Sequence, residues 1–153
     1  MGCGSFRFDG FEKLVEELGE SDKIVDEFIK SCAKELAARL LAKVVKRTPT
    51  SQYPSGSGKV GGTLKRGWTG GVNASASNYA QSLQVHQYGG YYVIEVTNPV
   101  EYASYVEFGH RTRNHQGWVE GKFMLTISEQ EIQAAAPAIL EKKLQQKLGE
   151  LFK

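Results

Sequence analysis

No apolar run in this 153-residue sequence approaches the roughly 20 residues a helix needs to cross a bilayer, and none follows the first residues as a secretory signal would. The side chains of metal and redox chemistry are scarce: three histidines and two cysteines. His110 and His115 lie close together, but no cysteine or carboxylate completes a metal-ligand spacing around them, so no metal is expected. Cys3 and Cys32 sit in unlike settings, a glycine-rich terminus and a helical apolar stripe, which suits a reducing cytoplasm and no disulfide. The formal charge is only +2, too small by itself to signal a nucleic-acid partner, whose footprint is a clustered basic surface. The glycine-rich stretch before Thr63 follows no strand and lacks the Gly-Lys-Ser/Thr ending of a phosphate-binding loop. Gly2 invites myristoylation, but Phe6 stands where Ser or Thr is required. With no nucleophile–base set either, the expectation is a protein without catalytic activity or cofactor.

The composition is that of one ordinary globular domain, with 41% hydrophobic residues and enough length for a sizeable core. Residues 1–10 read as a flexible terminus and 11–153 as a single domain. The fold class expected is α+β: a small antiparallel sheet packed against a long N-terminal helix and a C-terminal helix. Phe11 to Leu18 reads as a short helix stopped by Gly19. Ser21 then offers an N-cap for a helix to Arg47, with Ile24, Phe28, Cys32, Leu36, Leu40 and Val44 recurring at i+4. Pro49 ends it at Thr48.

Thr50 to Gly62 is loop by composition, order resumes from Thr63 to Trp68, and Asn73 to Asn78 is again small and polar. Leu83 and Val85, then Tyr91 to Val96, read as two strands joined at Gly89-Gly90. Val100 to Phe108 carries an i, i+3, i+4 cluster and reads as one or two helical turns, with a buried strand as the alternative. His110 to Gly121 reads as a polar loop around Trp118. A last helical region runs from about Phe123 to Phe152, with Pro137 either kinking it or opening a second helix.

Two groups of residues carry candidate function. Glu107, among Tyr102, Tyr105 and Phe108, could act as an acid if buried. Without a second carboxylate, a structural role fits better: capping backbone amides, or pairing with Arg111 or Arg113. The second group is aromatic and basic residues that are candidates for an interface: Tyr53, Lys65, Arg66, Trp68, His110, Arg111, Arg113 and Trp118. With Lys59 and Lys122 some of these could form a basic patch. Their types suit a protein interface first, core packing second and nucleic acid third.

Three segments resemble the HK97 gp10-like family of bacteriophage tail-component or neck proteins. They are Thr48-Pro49; Gly62-Thr63-Leu64-Lys65-Arg66-Gly67-Trp68; and Asn98-Pro99 leading to Tyr102-Ala103-Ser104-Tyr105-Val106-Glu107-Phe108-Gly109. The resemblance spans roughly Phe11 to Leu148. It departs at Gly61-Gly62-Thr63, where the family has Asp-Thr-Gly, and in a longer loop from Gln52 to Lys59.

The resemblance implies a structural virion protein at the neck or tail end, assembled in the host cytoplasm, forming a ring at the head–tail junction. Its implied partners are further copies of itself, the head-connector or head-closure protein, and a tail terminator or tail tube protein. DNA in the channel would lie close by, and no membrane is involved. The alternatives are a tail terminator ring or a nucleic-acid-binding module. Tyr102, Tyr105 and Phe108 are expected to anchor the sheet onto the long helices, with Gly109 in a conformation a Cβ would disfavour.

Overall fold

The apolar ladder from Phe28 to Val44 becomes helix α1 (Asp22–Arg47), whose Leu36, Ala37, Leu40, Leu41 and Val44 are buried. The structure, a computed structural model, describes residues 3–4, 22–72 and 74–151. The short helix expected at Phe11–Leu18 and most of the expected loose terminus lie outside the described residues. Cys3–Gly4, within that terminus, forms strand β1.

Helix α2 (Thr63–Gly67) and helix α3 (Ala76–Ser82) follow, then strands β2 (Val85–Tyr88), β3 (Tyr91–Ile94) and β4 (Val96–Thr97). Helix α4 (Ala103–Phe108) leads into β5 (Gly109–Arg111) and β6 (Trp118–Glu120), and α5 (Met124–Leu151) closes the order. The class is α+β, as the residue pattern implies. The strands pair antiparallel as three separate two-stranded ribbons, β1–β4, β2–β3 and β5–β6, rather than one sheet.

The long helices lie antiparallel along each other. Arg47 at the end of α1 bonds to Ser128 Oγ (3.0 Å) near the start of α5, and Arg47 and Lys43 both pair with Glu131. Further along, Lys143 reaches Glu35 at 2.9 Å. Ile132, Ala136 and Leu140 of α5 meet the α1 stripe in the core. Pro137 neither opens a second helix nor breaks the first: α5 runs unbroken through it.

The Thr-Pro, Leu-Lys-Arg-Gly-Trp and Asn-Pro segments form one buried pin. Thr48 Oγ1 donates to the Val44 carbonyl (2.7 Å) and accepts from Trp68 Nε1 (2.8 Å). Trp68 is 0% exposed, so the expectation that it serves an interface is corrected: it is the largest fully buried side chain among the described residues. Its indole needs both a large apolar pocket and one acceptor, and Thr48 supplies the acceptor. Asn98 Nδ2 donates to the Leu64 carbonyl (2.8 Å) and Asn98 Oδ1 accepts from Val100 N (3.1 Å). A Cβ on Gly67 would stand 2.2 Å from Asn98 Oδ1, so only glycine fits there.

Helix α3 was not foreseen. Ser75 caps it by accepting from Asn78 N (3.1 Å), and Ala80 packs it onto the core. In the β2–β3 hairpin, Gly89 (φ 59) makes the expected tight turn. Tyr92 of β3 donates to Asp26 of α1 (2.9 Å); the bonds from Lys30 and Tyr92 hold Asp26 below the usual carboxylate range. Burial, then Asp26, pushes the Tyr92 hydroxyl up to about 12.

Removing the Trp68 ring should destabilise the domain severely. Trp68→Ala is expected to cost about 3–5 kcal/mol in urea unfolding. Thr48→Val, which leaves the indole N–H unpartnered, should cost about 1–3 kcal/mol. Losses below about 1 kcal/mol for both would mean that Trp68 is not the core pin.

Candidate functional site

Helix α4 has two faces of opposite character. At 3.6 residues per turn, Tyr102, Tyr105 and Phe108 fall along one edge, while Ala103 and Glu107 fall on the other. Ala103 and Glu107 are buried, Glu107 to 1% exposure; Tyr105 and Phe108 are 58% and 55% exposed. The expectation that Tyr102, Tyr105 and Phe108 anchor the core is therefore corrected. The acid goes inside and the rings stay outside.

Glu107 is buried because it caps the start of α5. Its Oε2 accepts from Leu125 N (2.9 Å), and its Oε1 accepts from Thr126 N (2.9 Å) and Thr126 Oγ1 (2.7 Å). A carboxylate there satisfies amides that have no partner within the helix and sits at the positive end of its dipole. The capping role expected of Glu107 is the one it has, and it makes no pair with Arg111 or Arg113. The backbone repeats the tie, since Lys122 N donates to Val106 O (2.7 Å) and Phe123 N to Glu107 O (3.0 Å).

The β5–β6 hairpin grows out of this clamp and replaces the polar loop expected around Trp118. Gly109 has φ 87, and a Cβ there would stand 2.5 Å from Val119 O. Gly121 is as tightly placed, with a Cβ 2.4 Å from Glu107 O. Both glycines are required because two backbones cross at the clamp.

Exposed rings stand in a ridge along α4 and the adjoining hairpin, in local pairs. Tyr105 lies 5.8 Å from the His110 ring, whose Nδ1 is 3.4 Å from the Tyr105 carbonyl. Phe108 meets Phe123 edge-on at 6.4 Å. Trp118, 56% exposed, pairs across the hairpin with Arg111 and leans toward Gly109. Sequence reasoning missed Phe123, Val119 and Ile127, all exposed large apolar residues beside the ridge. Phe123 has φ 47, an outlier for a bulky residue, held at the helix start by its bond to Glu107. A large exposed aromatic directly before a helix was the one signal available for it.

The remaining candidates distribute as follows. Tyr53 lies in an exposed loop with the Lys59 ammonium 5.8 Å over its ring. Arg66 turns back to its own loop, donating to the Gly61 carbonyl at 3.1 Å, and Lys65 is half-buried beside it. Pro49, Tyr53, Val60, Leu64, Tyr102 and Val106 line a groove of about 140 Å³ at the near end of the ridge. Arg111 and Arg113 are exposed and have no partner among the described residues. The described residues contain no group of three His, Cys, Asp or Glu placed to hold a metal, and no helix long and apolar enough to cross a membrane. Burial pushes the Cys32 thiol up to about 11.

The family model described as "Bacteriophage HK97-gp10, putative tail-component" matches residues 9–109. The chain belongs to this HK97-gp10-like family. The match ends at Gly109, short of the Leu148 expected, so the family signature runs through the clamp glycine and stops before the hairpin and α5. No curated protein and no solved structure matches the chain significantly. All three quoted segments fall within the matched range. The structure gives each a role: Thr48 and Trp68 in the buried pin, Glu107 and Gly109 in the clamp, and the tyrosines on the ridge.

Two changes test the clamp. Glu107→Ala leaves two amides and a hydroxyl without their acceptor and should lower stability by about 2–3 kcal/mol in denaturant unfolding, with Gln losing less. A loss under about 0.5 kcal/mol would contradict the capping role. Burial, and then the Glu107 charge, raises the pKa of Glu129. A carboxyl raised in the folded state opposes folding when ionised and stops doing so once protonated. Glu129→Gln should therefore stabilise the protein at pH 7, with the gain fading as pH falls to about 4; a gain unchanged down to pH 4 would contradict it.

Proposed function

We propose that this tail-component family member is a non-enzymatic structural protein that closes a ring at the head–tail junction, joining the head connector to the tail. The exposed aromatic ridge on a rigid clamp carries this reading. Monomeric proteins rarely present a contiguous apolar surface of this kind without a partner. Tyr, Trp, Phe and Arg are the residues enriched at the centres of protein interfaces. Tyr105, Phe108 and Trp118 are of those types, exposed on α4 and the hairpin that follows it.

A cyclic ring uses one such surface once per copy, against a different surface of the next copy, and closes without leaving a ridge uncovered. The ridge also needs no rearrangement to bind, because Glu107, Gly109 and Gly121 fix its backbone beforehand. The head-connector or head-closure protein on one side and the tail terminator or tail tube protein on the other would cover the ring's two faces.

The ridge should matter for assembly and hardly at all for folding. The Tyr105→Ala, Phe108→Ala double variant should unfold within about 1 kcal/mol of wild type, as exposed substitutions do. In phage lacking the gene, DNA-filled heads and separate tails should accumulate, and this variant should fail to restore joined particles. Joined infectious particles from the deletion would overturn the junction reading. Full rescue by the double variant would remove the ridge from it.

A further inference from the structure

The hairpin tip differs from the ridge beneath it. From Arg111 to Gly117 the sequence reads Arg-Thr-Arg-Asn-His-Gln-Gly, with neither an acid nor an apolar residue. The tip is nevertheless ordered by its own polar groups. Thr112 N donates to Gly117 O (3.0 Å), Gly117 N to Thr112 Oγ1 (3.0 Å), and His115 N to Thr112 O (2.8 Å). Asn114 Oδ1 accepts from Thr112 Oγ1 (2.6 Å) and Gln116 N (3.2 Å). These bonds occupy the neutral side chains and leave the cations outward.

Charge is segregated in the same way. The ion pairs among the described residues all lie on α1 and α5. Arg111, Arg113 and Lys122 have no partner among the described residues, and the hairpin carries a single acid, Glu120. A chain of net charge +2 thus carries two unpartnered arginines on this tip, with Lys122 at the base of the hairpin.

From this we infer that the β5–β6 tip is a sequence-independent contact for the phosphodiester backbone of DNA. A protein partner would ask for apolar anchors at the contact centre, where charge is depleted; the anchors of this molecule lie on the ridge. Phosphates ask only for cations and hydrogen-bond donors held in place, and arginine's planar fork suits them. The inference does not depend on the junction reading, because it follows from the tip alone.

Fluorescence anisotropy with a labelled 20-base-pair duplex, titrated with the full chain from 50 to 200 mM salt, tests it. Two phosphate contacts at the tip, or three with Lys122, predict weak binding whose log K falls against log salt with a slope of about −2 to −3. Arg111→Ala with Arg113→Ala should weaken binding at least about tenfold at low salt and flatten the slope by almost 2 units. Removing two exposed helix cations instead, Lys46→Ala with Lys142→Ala, should leave the slope unchanged, separating the tip from net charge. Because both arginines are exposed, the arginine variant should melt as wild type does. Absence of binding at 50 mM salt, or an unchanged slope in the arginine variant, would overturn the proposal. So would displacement of the duplex by polyglutamate as effectively as by unlabelled DNA at equal charge, which would assign the tip to an acidic protein.

Discussion

A carboxylate on a six-residue helix holds together the end of the molecule where α4, the β5–β6 hairpin and the start of α5 meet. Glu107 reaches from α4 to the first amides of α5, and both its oxygens are occupied there. An isolated charge would be expelled from such a position, but the helix start offers donors and a favourable dipole that replace water. Once Glu107 is fixed inward, helical geometry leaves Tyr102, Tyr105 and Phe108 no choice but the outer edge. The chain then has to leave α4 through the crowded backbone crossing at Gly109 and Gly121, and that crossing launches the hairpin. Acid, glycine and exposed rings are thus one constraint with three visible consequences.

The rest of the fold keeps that clamp still. Antiparallel packing of α1 on α5 fixes the axis whose start Glu107 caps, reinforced where Arg47 and Lys43 meet Glu131 beside it. The Thr48–Trp68 pin closes the same end of α1, and the Asn98 latch delivers the chain into α4. The polar bonds in these two devices are buried, where an unmade bond is expensive, so they specify one arrangement rather than merely adding stability.

The long helices were legible in the sequence because their apolar ladders run for several turns, and the hairpin turn because Gly89-Gly90 has few other uses. At Pro137 the pattern left two outcomes open, a kink or a second helix, and the single helix through it removes the second. Trp68, Tyr105 and Phe108 were placed on the wrong sides for a common reason. Residue type cannot tell a core aromatic from an interface aromatic, since both are large and apolar. What separates them is the partner of a neighbour: Thr48 offers an acceptor to Trp68, and the amides of α5 draw Glu107 inward. The β5–β6 hairpin escaped notice because its turn is built from Thr112 and Asn114 side-chain bonds rather than a two-residue glycine turn.

The family assignment and the ridge agree on a part that works by contact. A domain with a fixed backbone and exposed rings has most of the ordering of an interface done in advance, so association requires little beyond encounter and desolvation. The most direct measurement of this account is a cryo-electron-microscopy map of the purified particle at side-chain detail. It predicts the chain in a closed ring at the head–tail junction, with Tyr102, Tyr105, Phe108 and Trp118 buried against the neighbouring subunit and Glu107 still on the start of α5. Rings left facing solvent in the assembled particle, or a junction without this chain, would contradict it.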